Sequence, residues 1–321
     1  MNRKEFIKGS AIIGAALTVP EIIKANSGMI DSDNQRRVHQ IITAQKTMVG
    51  TLPVLRAFAG DNNDYVSPYV FFDEFGPVNL KPHSQPLRVE AHPHAGIVPT
   101  TFFLDGTGHH RDSLNYDFQI GKGDFMMFSS GRGAIHMEET GQHLYDQGGL
   151  YHGFQIWLNM PSKYKFTDPS THIFRNDKMA EMQNQDFEMK IVLGEAFGHT
   201  SQIETLSPTF YFYVKLKPNA RFEIPINGSY NAFIYLISGE LELEGRKELK
   251  QNQVALFERG KELVQAFSKE GAEFLLLGGQ PLNETVFAYG PFVMNNEQQI
   301  RQCFADYQSG KMGNPMTVNG N

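Results

Sequence analysis

From residue 40 to residue 273 the chain is written in short apolar runs, rich in Val, Ile, Phe and Tyr, that halt every few positions at Gly, Asp, Asn or Pro. Runs of this length and composition predict strands over residues 98–104, 125–128, 154–158, 189–193, 211–216, 233–237, 241–243, 254–257 and 274–277. Many short strands with close turn signals argue for antiparallel sandwiches or barrels of the jelly-roll kind, an all-β fold. The period changes near the end. Over residues 297–309, Ile300, Phe304 and Tyr307 recur at helical spacing, with Asn295 or Asn296 as a cap and Gly310 as a stop, so a short C-terminal helix is predicted. A few helical turns are also expected near residues 178–185.

The apolar pattern repeats. Phe103-Leu104-Asp105-Gly106 returns as Leu236-Ile237-Ser238-Gly239, and Gly123-Asp124-Phe125-Met126-Met127-Phe128 returns as Asn252-Gln253-Val254-Ala255-Leu256-Phe257. Ser130-Gly131 returns as Arg259-Gly260 at the same offset of about 130 residues, too long for a solenoid and right for a duplicated domain. Two tandem barrels follow: residues 36–170 and residues 171–321, the second carrying the terminal helix, behind a leader over 1–35. The connection falls in the stretch 167–185, where Pro, Ser, Asp and Asn accumulate. At 321 residues, 40 % hydrophobic and 12 % aromatic, the chain has enough apolar material for two cores.

The copies differ in chemistry. His92-Pro93-His94 and, some forty residues on, His136-Met137-Glu138 are two i, i+2 pairs, and i, i+2 residues of a strand face one side. On neighbouring strands they would surround one ion. Three neutral imidazoles and a carboxylate suit a divalent first-row metal such as Fe, Mn, Co, Ni, Cu or Zn, with positions left for water or substrate. By the repeat offset His92 and His94 fall near Pro225 and Asn227, and His136 and Glu138 at Gln265 and Phe267, so only the first barrel is expected to hold metal. His109 and His110, just after Gly106, are read as a surface turn at the barrel mouth. His143, His152 and His172 lack partners at ligand spacing, and Arg132 is left between a local acid and an anionic substrate. Phe102 and the run Phe125 to Phe128 are read as core packing.

These residues resemble the pirin family of two-domain cupins. The resemblance rests on His92-Pro93-His94, Phe103-Leu104-Asp105-Gly106, His110-Arg111-Asp112-Ser113, Gly123-Asp124 and Gly131-Arg132-Gly133-Ala134-Ile135-His136-Met137-Glu138. It continues through Gly153-Phe154-Gln155-Ile156-Trp157-Leu158-Asn159-Met160-Pro161, Gly290-Pro291-Phe292-Val293-Met294-Asn295 and Asp306-Tyr307-Gln308-Ser309-Gly310, covering roughly residues 40 to 315. One segment departs from the pattern: Ala95-Gly96-Ile97-Val98 stands where pirins carry Arg-Gly-Phe-Glu, which leaves Glu138 as the acid ligand.

The resemblance implies two tandem cupin barrels with one mononuclear site, iron first, and oxygen-dependent opening of a flavonol such as quercetin. In that chemistry His92, His94 and His136 hold the ion, Glu138 takes the proton of the 3-hydroxyl, and carbon monoxide leaves after O2 reacts. It also implies an alternative, a metal-dependent co-regulator of transcription factors, and the departures at Ala95 and Val98 leave a third, a metal-holding scaffold without activity.

Charge and leader change this picture modestly. A net charge of −6 and a pI near 6.0 exclude a broad basic face, so no strong nucleic-acid binding is expected and a small phenol with O2 is the expected partner of a monomer. Cys303 is the one cysteine, which excludes an intrachain disulfide and thiolate metal sites. Arg3-Lys4-Glu5-Phe6-Ile7-Lys8 followed by the apolar run 11–19 resembles a twin-arginine export signal with Lys for the second Arg, and predicts a periplasmic address; a cytoplasmic protein with an amphipathic N-terminal helix is the alternative. The run is too short to span a bilayer. Export favours an enzyme over a transcriptional partner.

Overall fold

In the computed structural model the apolar runs become strands, and the first half of the described chain reads β1 (Val38–Thr43), β2 (Gln45–Val49), β3 (Leu52–Ala59), β4 (Tyr69–Leu80), β5 (Arg88–His94), β6 (Ile97–Asp105), β7 (Gly108–Asp112), β8 (Asp117–Ile120), β9 (Phe125–Ser129), β10 (Ala134–Thr140), the short helix α1 (Gln142–Gln147), β11 (Gly149–Asn159) and β12 (Ser170–Phe174). The structure describes residues 34–60 and 64–318. The export signal expected within residues 1–25 lies outside the described residues.

Two sheets build the first barrel, a seven-stranded one in the order β12-β9-β6-β11-β4-β3-β2 and a four-stranded one in the order β5-β10-β7-β8. The second barrel is formed by Phe187–Leu193, Thr209–Leu216, Ala220–Pro225, Asn231–Glu242, Gln253–Phe257, Leu263–Ser268 and Ala272–Gly279, with shorter strands at its edges. The fold is all-β with two cupin jelly rolls. Among the described residues no helix is long and apolar enough to cross a membrane.

Strand alternation decides which face meets what. On the seven-stranded sheet Phe72, Phe102, Phe154 and Ile156 point away from the first barrel and pack on Tyr211, Phe233, Tyr235, Leu275 and Leu277 of the second. Burying each such ring stabilises the pair by about 1.5–3 kcal/mol, so the barrels share one core. Phe75, Phe103 and Met126, one residue out of phase, line the interior of the first barrel. The second barrel's interior is filled by Phe212, Phe222, Ile234, Leu236, Phe274 and their neighbours.

The termini cross over. β1 pairs with Gln253–Phe257 of the second barrel, Ile41 opposite Ala255, and buried Arg36 just ahead of it donates to the carbonyls of Ile226, Asn227 and Tyr230 at 3.3, 2.7 and 2.8 Å. In return the hairpin Phe287–Tyr289 and Phe292–Met294, α2 (Glu297–Gln308) and α3 (Pro315–Val318) cover the first barrel, where Phe292, Met294, Ile300, Cys303 and Met312 pack on Ala95, Ile135 and Met137. The seam is pinned by Lys165, whose buried Nζ donates to Gly96 O at 2.8 Å, Asn159 Oδ1 at 2.6 Å and Val293 O at 2.8 Å.

α2 spans the predicted helix, capped by the Asn296 side chain accepting from the Gln299 N–H at 3.0 Å. Of the turns expected near 178–185, one 3-10 turn forms at Asn176–Lys178, and the rest of the stretch differs. Ala180–Gln183 is a strand paired with Phe187–Leu193, because Asn184 Oδ1 accepts from the N–H groups of Asp186 and Phe187, both at 2.8 Å, and turns the chain back at once.

Gly96 sits where the C-terminal hairpin meets the strand after His94. Its φ is +76°, and a methyl group there would run into the Val293 carbonyl oxygen. Gly96→Ala is therefore expected to cost about 2–4 kcal/mol, from backbone strain and displacement of the hairpin. Thermal unfolding of the metal-free variant measures it; an unchanged midpoint would show that the seam yields freely.

Candidate metal centre

β10 lies between β5 and β7, and the register sets the centre. His136 stands opposite His92 on one side and Asp112 on the other, Ala134 opposite His94, and Glu138 opposite His110. The donor atoms of His92, His94 and His136 lie within 4.8 Å of one another, and His92 Nε2 faces His136 Nε2 at 3.0 Å. His92 Nδ1 donates to Glu90 O at 2.8 Å and His94 Nδ1 to Pro291 O at 3.1 Å. With a proton on each Nδ1, the Nε2 atoms of His92 and His94 carry lone pairs.

Electrostatics keep the three rings uncharged. Desolvation holds His92 below the ordinary histidine range and holds His94 and His136 well below it, and the neighbouring imidazoles push His94 and His136 further in the same direction. Three uncharged rings with converging nitrogens, two of them meeting at 3.0 Å, fit a divalent cation. Phe128 stacks on His136 at 4.6 Å and closes the inner wall, so this member of the apolar run serves the centre.

Glu138 is not in the same group of donors. Its Oε1 accepts from Thr101 Oγ1 at 3.0 Å and its Oε2 from Gln155 Nε2 at 2.7 Å, which turns the carboxylate toward β6 and β11. It falls instead within 4.8 Å of donor atoms from His136 and His110. The two donor groups share His136.

His110 is the residue that turn chemistry concealed. It lies on β7, fully buried, with Nε2 at 3.0 Å from Asp112 Oδ2. Burial alone would raise Asp112, but hydrogen bonds from His110, Thr171 Oγ1 at 2.5 Å and the Tyr116 N–H at 3.1 Å prevail and hold it below the usual carboxylate range. The available signal was alternation: Gly108, His110 and Asp112 point in, while His109 points out to Asp117 at 2.6 Å. Arg132 pairs with Asp168 on the surface, and His152 with Glu74 at 2.6 Å; His143 and His172 are exposed.

The first group of donors opens on a cavity of about 470 Å³, lined by Val54, Phe71, Phe75, Phe103, Tyr151 and Trp157, with His92, His94 and Glu138 at its polar end. Trp157 stacks on Phe71 at 3.9 Å and turns its edge to His94 at 4.8 Å. One polar row crosses the cavity wall: Thr101, Gln155, Asp73 and Arg56 are successive cross-strand partners, and Arg56 grips Asp73 through two bonds of 2.8 and 2.6 Å. At the corresponding place in the second barrel Glu223 faces Gln265 and accepts its amide at 3.1 Å. Among the described residues no further group of three metal donors occurs.

Two jelly rolls, one with a histidine cluster opening on an aromatic cavity and the other filled by its own side chains, define a bicupin with one candidate metal centre among the described residues. The chain matches the Pirin family over residues 51–158 and the Pirin C-terminal cupin domain over residues 211–313. A pirin-like protein of Solanum lycopersicum is 33% identical over 251 residues, 77% of this chain and 82% of that one. The chain belongs to the pirin family. A crystal structure titled quercetin 2,3-dioxygenase, from Acinetobacter baumannii, superposes with a TM-score of 0.84 at 26% identity, covering 88% of this chain and 100% of that one. The bacterial pirin YhhW of Escherichia coli, solved in complex with nickel(II), superposes at 0.58 with 17% identity over 75% of this chain and 99% of that one, a likeness of fold alone.

Proposed function

We propose that the protein is a mononuclear metal dioxygenase that opens a flavonol-like phenol, with His92, His94 and His136 as metal ligands and Glu138 beside them as the base, which would become the acid ligand as well only on leaving Thr101 and Gln155. The observation that carries this reading is the continuity of the histidine cluster with an aromatic cavity of about 470 Å³, within the size range of small-molecule sites. Likeness to a structure titled quercetin 2,3-dioxygenase supports the same reaction. An iron ion would supply Lewis acidity toward the substrate's hydroxyl and carbonyl oxygens and redox chemistry with O2.

The remaining work belongs to the chain. Trp157, backed by its stack on Phe71, and the rings of Phe75, Phe103 and Tyr151 border the space for a planar ring system, and this apolar wall excludes water around it. Glu138, held by Thr101 and Gln155 beside the centre, is within the cavity lining and takes the hydroxyl proton. Its two neutral donors keep the carboxylate aimed without neutralising it. The leader's resemblance to an export signal suits an enzyme that meets phenols from outside the cell.

Trp157 is the one tryptophan of the chain and lines this cavity, so its emission reports occupancy. Iron-loaded protein is expected to show saturable quenching by quercetin, with O2 consumed and carbon monoxide released in equal amounts. The analogue lacking the 3-hydroxyl should quench without consuming O2. Loaded protein that neither binds nor turns over any flavonol would remove the proposal.

A further inference from the structure

We infer that His110, backed by Asp112, is the positioning residue for His136, accepting the proton that His136 carries on Nδ1. The inference rests on the metal-centre reading above. His92 and His94 each have a backbone carbonyl for Nδ1, whereas His136 Nδ1 is buried and has no hydrogen-bond partner. A histidine that offers its Nε2 lone pair to an ion must keep a proton on Nδ1, and that N–H needs an acceptor.

The acceptor it lacks is next to it. His110 Nε2 lies 3.0 Å from an Asp112 carboxylate that also accepts from Thr171 and from the N–H groups of Leu114 and Tyr116. Nε2 therefore donates, and in the neutral ring Nδ1 carries the lone pair. That atom too is buried without a partner. A donor and an acceptor, both orphaned, belong to rings whose centroids are 5.4 Å apart, and donor atoms of the two residues lie within 4.8 Å. This spacing suits a bond through one water, or a direct one after a small ring rotation. The resulting chain runs Asp112, His110, His136, ion. It gives His136 a carboxylate-backed partner that neither of the other two histidines has, and makes it the most electron-donating of the three.

The test compares full-length wild type, His110→Phe, His110→Asn and Asp112→Asn, each loaded with Zn(II). Phe keeps the ring and its stack on Phe118 but has no acceptor, whereas Asn places an amide oxygen near the former Nδ1. Competition with a chelator is expected to show Zn(II) bound about 10–100-fold more weakly by His110→Phe, with Asp112→Asn weakened in the same direction and His110→Asn within about threefold of wild type. In histidine-labelled protein the His136 Nδ1–H resonance should move in His110→Phe and Asp112→Asn, while that of His92 stays. Should His110→Phe fail to fold, Asp112→Asn and His110→Asn decide the matter. Equal losses in the Phe and Asn variants would mark a packing effect and overturn the inference, as would an unmoved His136 proton. A fall in the number of coordinated imidazoles on going from wild type to His110→Phe would make His110 a ligand and overturn it too. Wild type that loads normally beside an unaffected His110→Phe sinks this inference alone; wild type that takes up no metal sinks the metal-centre reading and this one with it.

Discussion

His136→Ala is expected to abolish metal retention, with affinity falling by more than about a hundredfold, beyond the range set by losing an outer-sphere partner. The reason is topological. His136 belongs to both donor groups, so its removal breaks both, whereas His92→Ala or His94→Ala leaves His136 with the remaining histidine of the cluster. The ring is also fully buried against Phe128 and faces His92 at 3.0 Å, so its removal takes away the inner side of the cluster. Elemental analysis of untagged protein gives the direct reading. A second reading is the rise of the unfolding midpoint with added metal, which follows RT ln(1 + [M]/Kd) in wild type and should vanish in the variant. Full metal content in His136→Ala would mean that the ion sits elsewhere.

Lys165→Met should destabilise the fold by about 2–4 kcal/mol, lowering the unfolding midpoint by roughly 5–15 °C. The ammonium is buried and satisfies three acceptors from three parts of the chain, and Met leaves Gly96 O, Asn159 Oδ1 and Val293 O facing apolar atoms. The penalty should depend on pH. Desolvation brings the Lys165 amine down from 10.5 to about 7 in the folded protein, against opposing pulls from Glu284 and Cys303. Below pH 7 the residue is charged in both states. Between about 7 and 10.5 the unfolded chain retains a proton that the folded chain has released, so this residue adds stability as pH rises. The gap between wild type and Lys165→Met should therefore widen by about 2 kcal/mol from pH 7 to pH 9. Chemical denaturation at the two pH values measures it, and an unchanged gap would mean that the folded amine keeps its proton.

Much of this architecture was legible in the sequence because strand alternation is a local signal. Phe102 and Phe103, adjacent in the chain, end in different cores as the pleat requires. The capped helix at Glu297–Gln308 was legible for the same reason, its cap and its apolar stripe lying within one short stretch. The pairing of His92 with His136 followed from two i, i+2 motifs. Contacts between distant segments could not be read this way. His110 looked like a turn residue because Gly106 precedes it closely, and its burial depends on Asp112 and Thr171, the latter 59 positions after Asp112. The orientation of Glu138 depends on Gln155, and the tautomer of His94 on Pro291, which lies 197 residues away. Short-range patterns could not reveal that a C-terminal carbonyl holds a ring near the middle of the chain.

The crossed termini make the molecule a clasp. A fragment ending after β12 would lack the hairpin that supplies the Pro291 carbonyl and the helices that cover Ile135 and Met137, while one starting at Ala180 would lack the strand that completes its sheet beside Gln253–Phe257. Each half holds a piece of the other's fold. Severed polypeptides of this protein would behave as complementing partners that regain order on mixing, and the gain or loss of an ion in one lobe would be felt in the melting of both.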